Sequence, residues 1–130
     1  MSAALHEAGH AVIAERLGLR VEKVTLAPPL TTLLEDVPEN ARTRYAVLAL
    51  AGDAAERRAM PDEPVVCPAD RGLARRALVL DSPLATETRF DIAEARAEAL
   101  VRECWSSILR VTETLARSCA LSGDEVRALL

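Results

Sequence analysis

The two histidines of this chain, His6 and His10, stand four residues apart, and Glu7 follows the first. Residues four apart share a face only where the backbone is helical, so the pair can serve one ion if residues 5–18, "LHEAGHAVIAERLG", form a helix. The neighbours suit that reading. Leu5, Ala8, Val12, Ile13 and Leu17 recur near helical spacing, Ser2 can cap the start and Gly18 can stop the end. Ala8, Gly9, Ala11 and Val12 are small or apolar, so a second element can pack closely over the face. A helix over 2–17 lying under a neighbour is therefore the first constraint on the fold.

The remaining pattern is mostly helical. "RVEKVTL" (20–26) alternates and is rich in β-branched residues, which predicts a strand. Pro28 and Pro29 break it, and "LTTLLED" (30–36) is a second strand candidate that would make a hairpin edge. A helix is expected over 39–60 after Pro38, ended by Pro61 and Pro64. A second helix is expected over 69–80, capped by Asp70 or just before it. From Thr86 to about Ala120 the apolar positions fit one helix or two, and Ser122 can cap a short final helix. The expected class is mainly α, with a small β-hairpin or edge strand after the histidine helix, in a single domain over 1–130.

Composition narrows the functions. Sixteen basic and 20 acidic residues are mixed along the chain, for a formal net charge of −4. Basic blocks interleaved with aromatics are missing, so no nucleic-acid partner is expected. No apolar run approaches the roughly 20 residues of a membrane span. The three cysteines, Cys67, Cys104 and Cys119, lack zinc-finger spacing and fit reduced thiols in a cytoplasmic protein.

The His6-Glu7-xx-His10 pattern carries a known mechanism. Two imidazoles can hold one Zn2+, and the glutamate beside the first can take a proton from water that the ion has made acidic. Chance placement of two histidines with this spacing and this glutamate is on the order of one or two in a thousand. A catalytic zinc keeps three protein ligands and one open position. With no third histidine, the third ligand must come from Asp, Glu or Cys. Asp53, Glu56, Asp70 and Cys67 are the candidates. Ile13 and Arg16 stand where the metzincin extension needs Gly and His, which removes that class.

Taken in order, several stretches resemble the peptidase domain of FtsH-type proteases, the ring-forming ATP-dependent zinc metalloproteases. "HEAGHAV" (6–12) resembles the family's zinc helix, and "VEKVTLAP" (21–28) the strand after it. "LAGDAAER" (50–57) resembles its Gly-Gly-Arg-Ala-Ala-Glu stretch, and "ADRGLARRA" (69–77) the segment holding its ligand aspartate. The tail, "LARSCALSGDEVRALL" (115–130), resembles its C-terminal helix pair. The resemblance implies that Asp70 is the third metal ligand and Glu7 the general base. It implies that Glu56 stands behind the ligands as a supporting acid, and that copies assemble into rings. Three departures stand out. The chain carries no GxxxxGK[ST] loop, Pro28-Pro29-Leu30 replaces a glycine-containing turn, and Asp53 replaces the arginine. With Met1 only five residues before His6, little of the helix that precedes the family's motif is expected.

Two function classes follow. The first is a free-standing, ATP-independent zinc endopeptidase. It would act on unfolded polypeptides or on substrates delivered by a separate ATPase partner. The segment from Val24 to Leu34 would offer a strand edge to substrate, with Val24, Thr25 and Leu26 as binding residues. The second is a non-catalytic helical module that binds zinc structurally or mediates assembly.

Overall fold

The computed structural model describes residues 2–130, the side chain of Ser2 excepted. The cap expected from Ser2 therefore lies outside the described residues. Six α-helices and one three-stranded sheet make up the described chain. Helix α1 (Ser2–Arg16) carries the histidines. It ends as the sequence predicts, because Gly18 adopts φ +78°, where a side chain is strained. The Leu19 N–H then reaches back to the Ala14 carbonyl and the Gly18 N–H to that of Glu15, which satisfies the helix end.

Strand β1 (Val21–Thr25) follows, then β2 (Thr31–Leu34), antiparallel to it across the two prolines. A single 3-10 turn (Glu39–Ala41) leads into α2 (Arg42–Ala59). Helix α3 (Pro68–Asp81) begins with proline in its first turn, where the missing N–H costs nothing. Its N-cap is Cys67, and Asp70 is not a cap: it sits in the first turn, its side chain directed elsewhere. The long apolar pattern after residue 86 resolves into α4 (Thr86–Glu103) and α5 (Trp105–Ser118), separated at Cys104. The break lets α4 lie against α2 and α5 against α1.

Strand β3 (Ala120–Ser122) was not foreseen. It pairs with the other side of β1, giving the order β2-β1-β3. This narrows where the segment from Val24 to Leu34 has an open edge. Val24 and Thr25 are bonded on both sides, and the Leu26 N–H donates to the Cys119 carbonyl at 2.8 Å. Val24 and Thr25 thus have no free backbone edge to offer. Among the described residues the sheet's outer edges belong to β2 and β3, and β2 is the one that borders the cleft at His10 and Asp70. Helix α6 (Gly123–Ala128) closes the chain, with Ser122 and Glu125 forming the reciprocal cap expected of that serine.

One cluster of buried apolar side chains, drawn from the helices and the sheet, forms the core. Phe90, Ile13, Leu50, Leu78 and Ile108 are among its largest fully buried members, each worth about 1.5–3 kcal/mol of burial. Helix α2 runs through the middle and is buried from Ala46 to Ala55. Small residues let it approach α1 closely. A β-carbon on Gly9 would lie 2.8 Å from the Ala51 carbonyl oxygen and 2.9 Å from the Ala55 β-carbon. No helix of the described residues is long and apolar enough to cross a membrane.

Candidate metal centre

Three elements bring the site together. Helix α1 supplies His6, Glu7 and His10, α2 backs them, and the first turn of α3 faces them with Asp70. The contact between α1 and α2 is what makes room for two imidazoles. A β-carbon on Gly52 would sit 2.6 Å from His6 Nε2 and 2.7 Å from His10 Nε2. Only glycine leaves that space, although it costs a helix interior about 0.5–1 kcal/mol relative to alanine.

His6 Nε2, His10 Nε2 and Asp70 Oδ2 form a triangle with sides of 2.8, 3.0 and 3.1 Å. Partners on the far side of each ring decide what those nitrogens present. His10 Nδ1 donates to the Leu48 carbonyl at 2.8 Å. His6 Nδ1 donates to Glu56 Oε1 at 2.6 Å. In the neutral tautomers both Nε2 lone pairs then point at the carboxylate oxygen. Three acceptors on one point repel. One proton can serve only one of the three contacts, whereas a cation at the centre serves all three. Four tetrahedral ligands at zinc distances of about 2.0–2.1 Å lie roughly 3.3 Å apart, so the observed triangle is a slightly contracted version of such a set. The residues therefore fit a metal ion, and the set of two imidazoles and one carboxylate suits zinc chemistry.

Electrostatics agree. Burial alone would depress His6, but the carboxylates of Asp70 and Glu56 outweigh it and hold its pKa at about 9 in the absence of metal. Burial would raise Asp70, but hydrogen bonds from both histidines hold it well below the usual carboxylate range.

The other candidate ligands fall elsewhere. Glu56 touches the back of His6, where it orients the ring. Asp53 is buried and accepts the Cys67 N–H at 2.8 Å, so it docks the start of α3. Its second oxygen stays 3.7 Å from His6 Nδ1 and has no hydrogen-bond partner. With His6 and Glu56 it forms a second acidic group, but one built on the nitrogen that already donates to Glu56. Cys67 joins neither group, and burial pushes its thiol pKa up, away from the metal-binding thiolate.

Glu7 is 6% exposed and lines a cleft of about 380 Å³. His10 and Asp70 form part of the same wall. Leu30, the strand β2, Val37, Tyr45 and Leu73 also line the cleft. Burial and the Asp70 charge push the Tyr45 hydroxyl pKa up. The Thr32 hydroxyl, on β2, lies 2.7 Å from Glu7 Oε2. Val24 and Thr25 do not line this cleft, whereas Thr31 and Thr32 do.

Sequence reasoning thus named the three converging side chains, the adjacent glutamate and the supporting Glu56. It missed Gly52, the Leu48 carbonyl and Thr32. Gly52 had a visible signal, a glycine inside a helical pattern. A backbone carbonyl and a strand threonine carry none. Compared with known protein families and with curated proteins, the chain matches none.

Proposed function

We propose that the chain is a zinc-dependent endopeptidase acting on unfolded polypeptides, in the manner of the FtsH-type peptidase domain that its sequence resembles. The observation that carries this reading is the convergence of His6, His10 and Asp70 on one point, with Glu7 lining the same open cleft as His10 and Asp70. A structural metal site needs neither a neighbouring base nor access from solvent.

His6, His10 and Asp70 would hold the ion, and Glu56 and the Leu48 carbonyl would fix the two rings. Bound there, zinc supplies Lewis-acid polarisation of the peptide carbonyl and brings the pKa of water toward neutrality. Glu7 takes the proton from water during attack and returns it to the departing amine, as general-base and then general-acid catalysis requires. The free edge of β2 gives an extended peptide backbone partners along the cleft, and such pairing tolerates many sequences. An extended segment must therefore be available, which favours disordered tails, peptides, or chains unfolded by a separate ATPase partner.

The test joins metal analysis to cleavage of casein as an unfolded substrate. The wild type should carry about one zinc per chain and cleave casein. Glu7→Gln should keep its zinc and lose about 100-fold or more in rate, because an amide cannot accept the proton. Zinc-loaded wild type that leaves casein intact would favour the non-catalytic module instead.

A further inference from the structure

A general base must hold one orientation while its proton moves, yet a glutamate side chain has three rotatable bonds. Glu7 is nearly buried, and a buried carboxylate needs hydrogen-bond donors. The donor in place is Thr32. Its hydroxyl oxygen lies 2.7 Å from Glu7 Oε2 and 3.2 Å from the Glu7 backbone carbonyl, so it reaches both ends of the residue. The sheet puts it there. Thr32 pairs across from Val24, which is fully buried, and residues opposite one another in a ladder point to the same side. The Thr32 side chain is thus directed inward, toward α1, while its neighbour Leu33 is exposed. Threonine, branched at its β-carbon, is stiff about χ1 and keeps the hydroxyl in one place.

We propose that Thr32 is the positioning residue for the base: its hydroxyl holds one carboxylate oxygen of Glu7 and leaves the other oxygen to the proton transfer. The inference rests on the peptidase reading above. It adds that the base is oriented from β2, the same strand whose outer edge borders the cleft. Thr32 does not touch the reacting atoms, and its effect runs through Glu7.

The experiment compares Thr32→Val, which removes the hydroxyl at nearly constant shape, with Thr32→Ser, which keeps it. Three readings are taken on the zinc-loaded protein: zinc content, kcat and KM on an unstructured peptide, and calorimetric affinity for a peptidyl hydroxamate. The hydroxamate shares a proton with the Glu7 carboxylate and reports on its placement without turnover. Thr32→Val should keep full zinc, lose roughly 10-fold or more in kcat with KM within about twofold, and bind hydroxamate roughly 10-fold more weakly. Thr32→Ser should stay within about threefold of wild type in both. Thr32→Ala gives the same readings where Thr32→Val does not fold. Wild-type kcat and hydroxamate affinity in the hydroxyl-free variants would overturn the proposal. Equal losses in Thr32→Ser and Thr32→Val would also overturn it, because the methyl rather than the hydroxyl would then matter. If wild type binds hydroxamate yet cleaves no peptide, the peptidase reading falls. The hydroxamate series alone then upholds or overturns the role of Thr32.

Discussion

Single atoms decide whether this site exists. Gly52 is the clearest case, since a methyl group there would meet both His6 Nε2 and His10 Nε2 at under van der Waals distance. Alanine is the better helix former by about 0.5–1 kcal/mol, so Gly52→Ala should leave α2 helical. The imidazoles must move instead. Zinc content of the purified variant should fall to a small fraction of one per chain, with helical circular dichroism unchanged. Full zinc occupancy would mean that α1 and α2 can separate without loss, contrary to the tight contact at Gly9. Asp70 belongs to the same scale. Asp70→Asn keeps the side chain's shape but offers a neutral amide to a dication, so metal affinity should drop by about 10-fold or more.

At the scale of elements, the position of α3 is what turns Asp70 into a ligand. The helix starts without a side-chain cap of its own, and Asp53 on α2 accepts the Cys67 N–H instead. Asp53→Ala should therefore loosen the first turn of α3 and weaken zinc by several-fold, although Asp53 is not in the triangle. Asp53→Asn keeps an acceptor oxygen and should bind zinc nearly as wild type does. Chelator competition on the two variants checks this, and equal behaviour would remove Asp53 as the anchor. The helices themselves were legible because apolar residues recur along them, and Gly18 and Ser122 mark two of their ends. Strand β3 was not legible. Its three residues are too few to show an alternating pattern, and its place on β1 depends on where α5 delivers the chain. That one missed pairing closed the β1 edge at Val24 and Thr25 and left the edges at β2 and β3. The break at Cys104 was half legible, since one apolar stripe serves a straight helix or two that diverge onto α2 and α1.

Across the whole molecule, the site joins proton binding, metal binding and folding in one equilibrium. In the metal-free protein His6 holds a proton up to a pKa of about 9, against an ordinary value of 6.5. A group raised on folding stabilises fully below its unfolded value and stops doing so as pH climbs through the folded one. Asp70 is depressed on folding, so its contribution is present above the usual carboxylate range and is lost in strong acid. The metal-free protein should thus melt at its highest temperature in mildly acidic solution and lose stability between pH 6.5 and about 9. Metal binding reverses the dependence, because the ion displaces the His6 proton. Between about pH 7 and pH 9 zinc affinity should rise close to tenfold per pH unit, the slope for release of one proton. Melting curves of chelator-treated and zinc-loaded protein across that range should diverge, the first falling and the second staying high. Parallel curves would show that His6 carries no extra proton in the metal-free state. The short contacts among His6, His10 and Asp70 would then have to be held together by packing of α1, α2 and α3 alone.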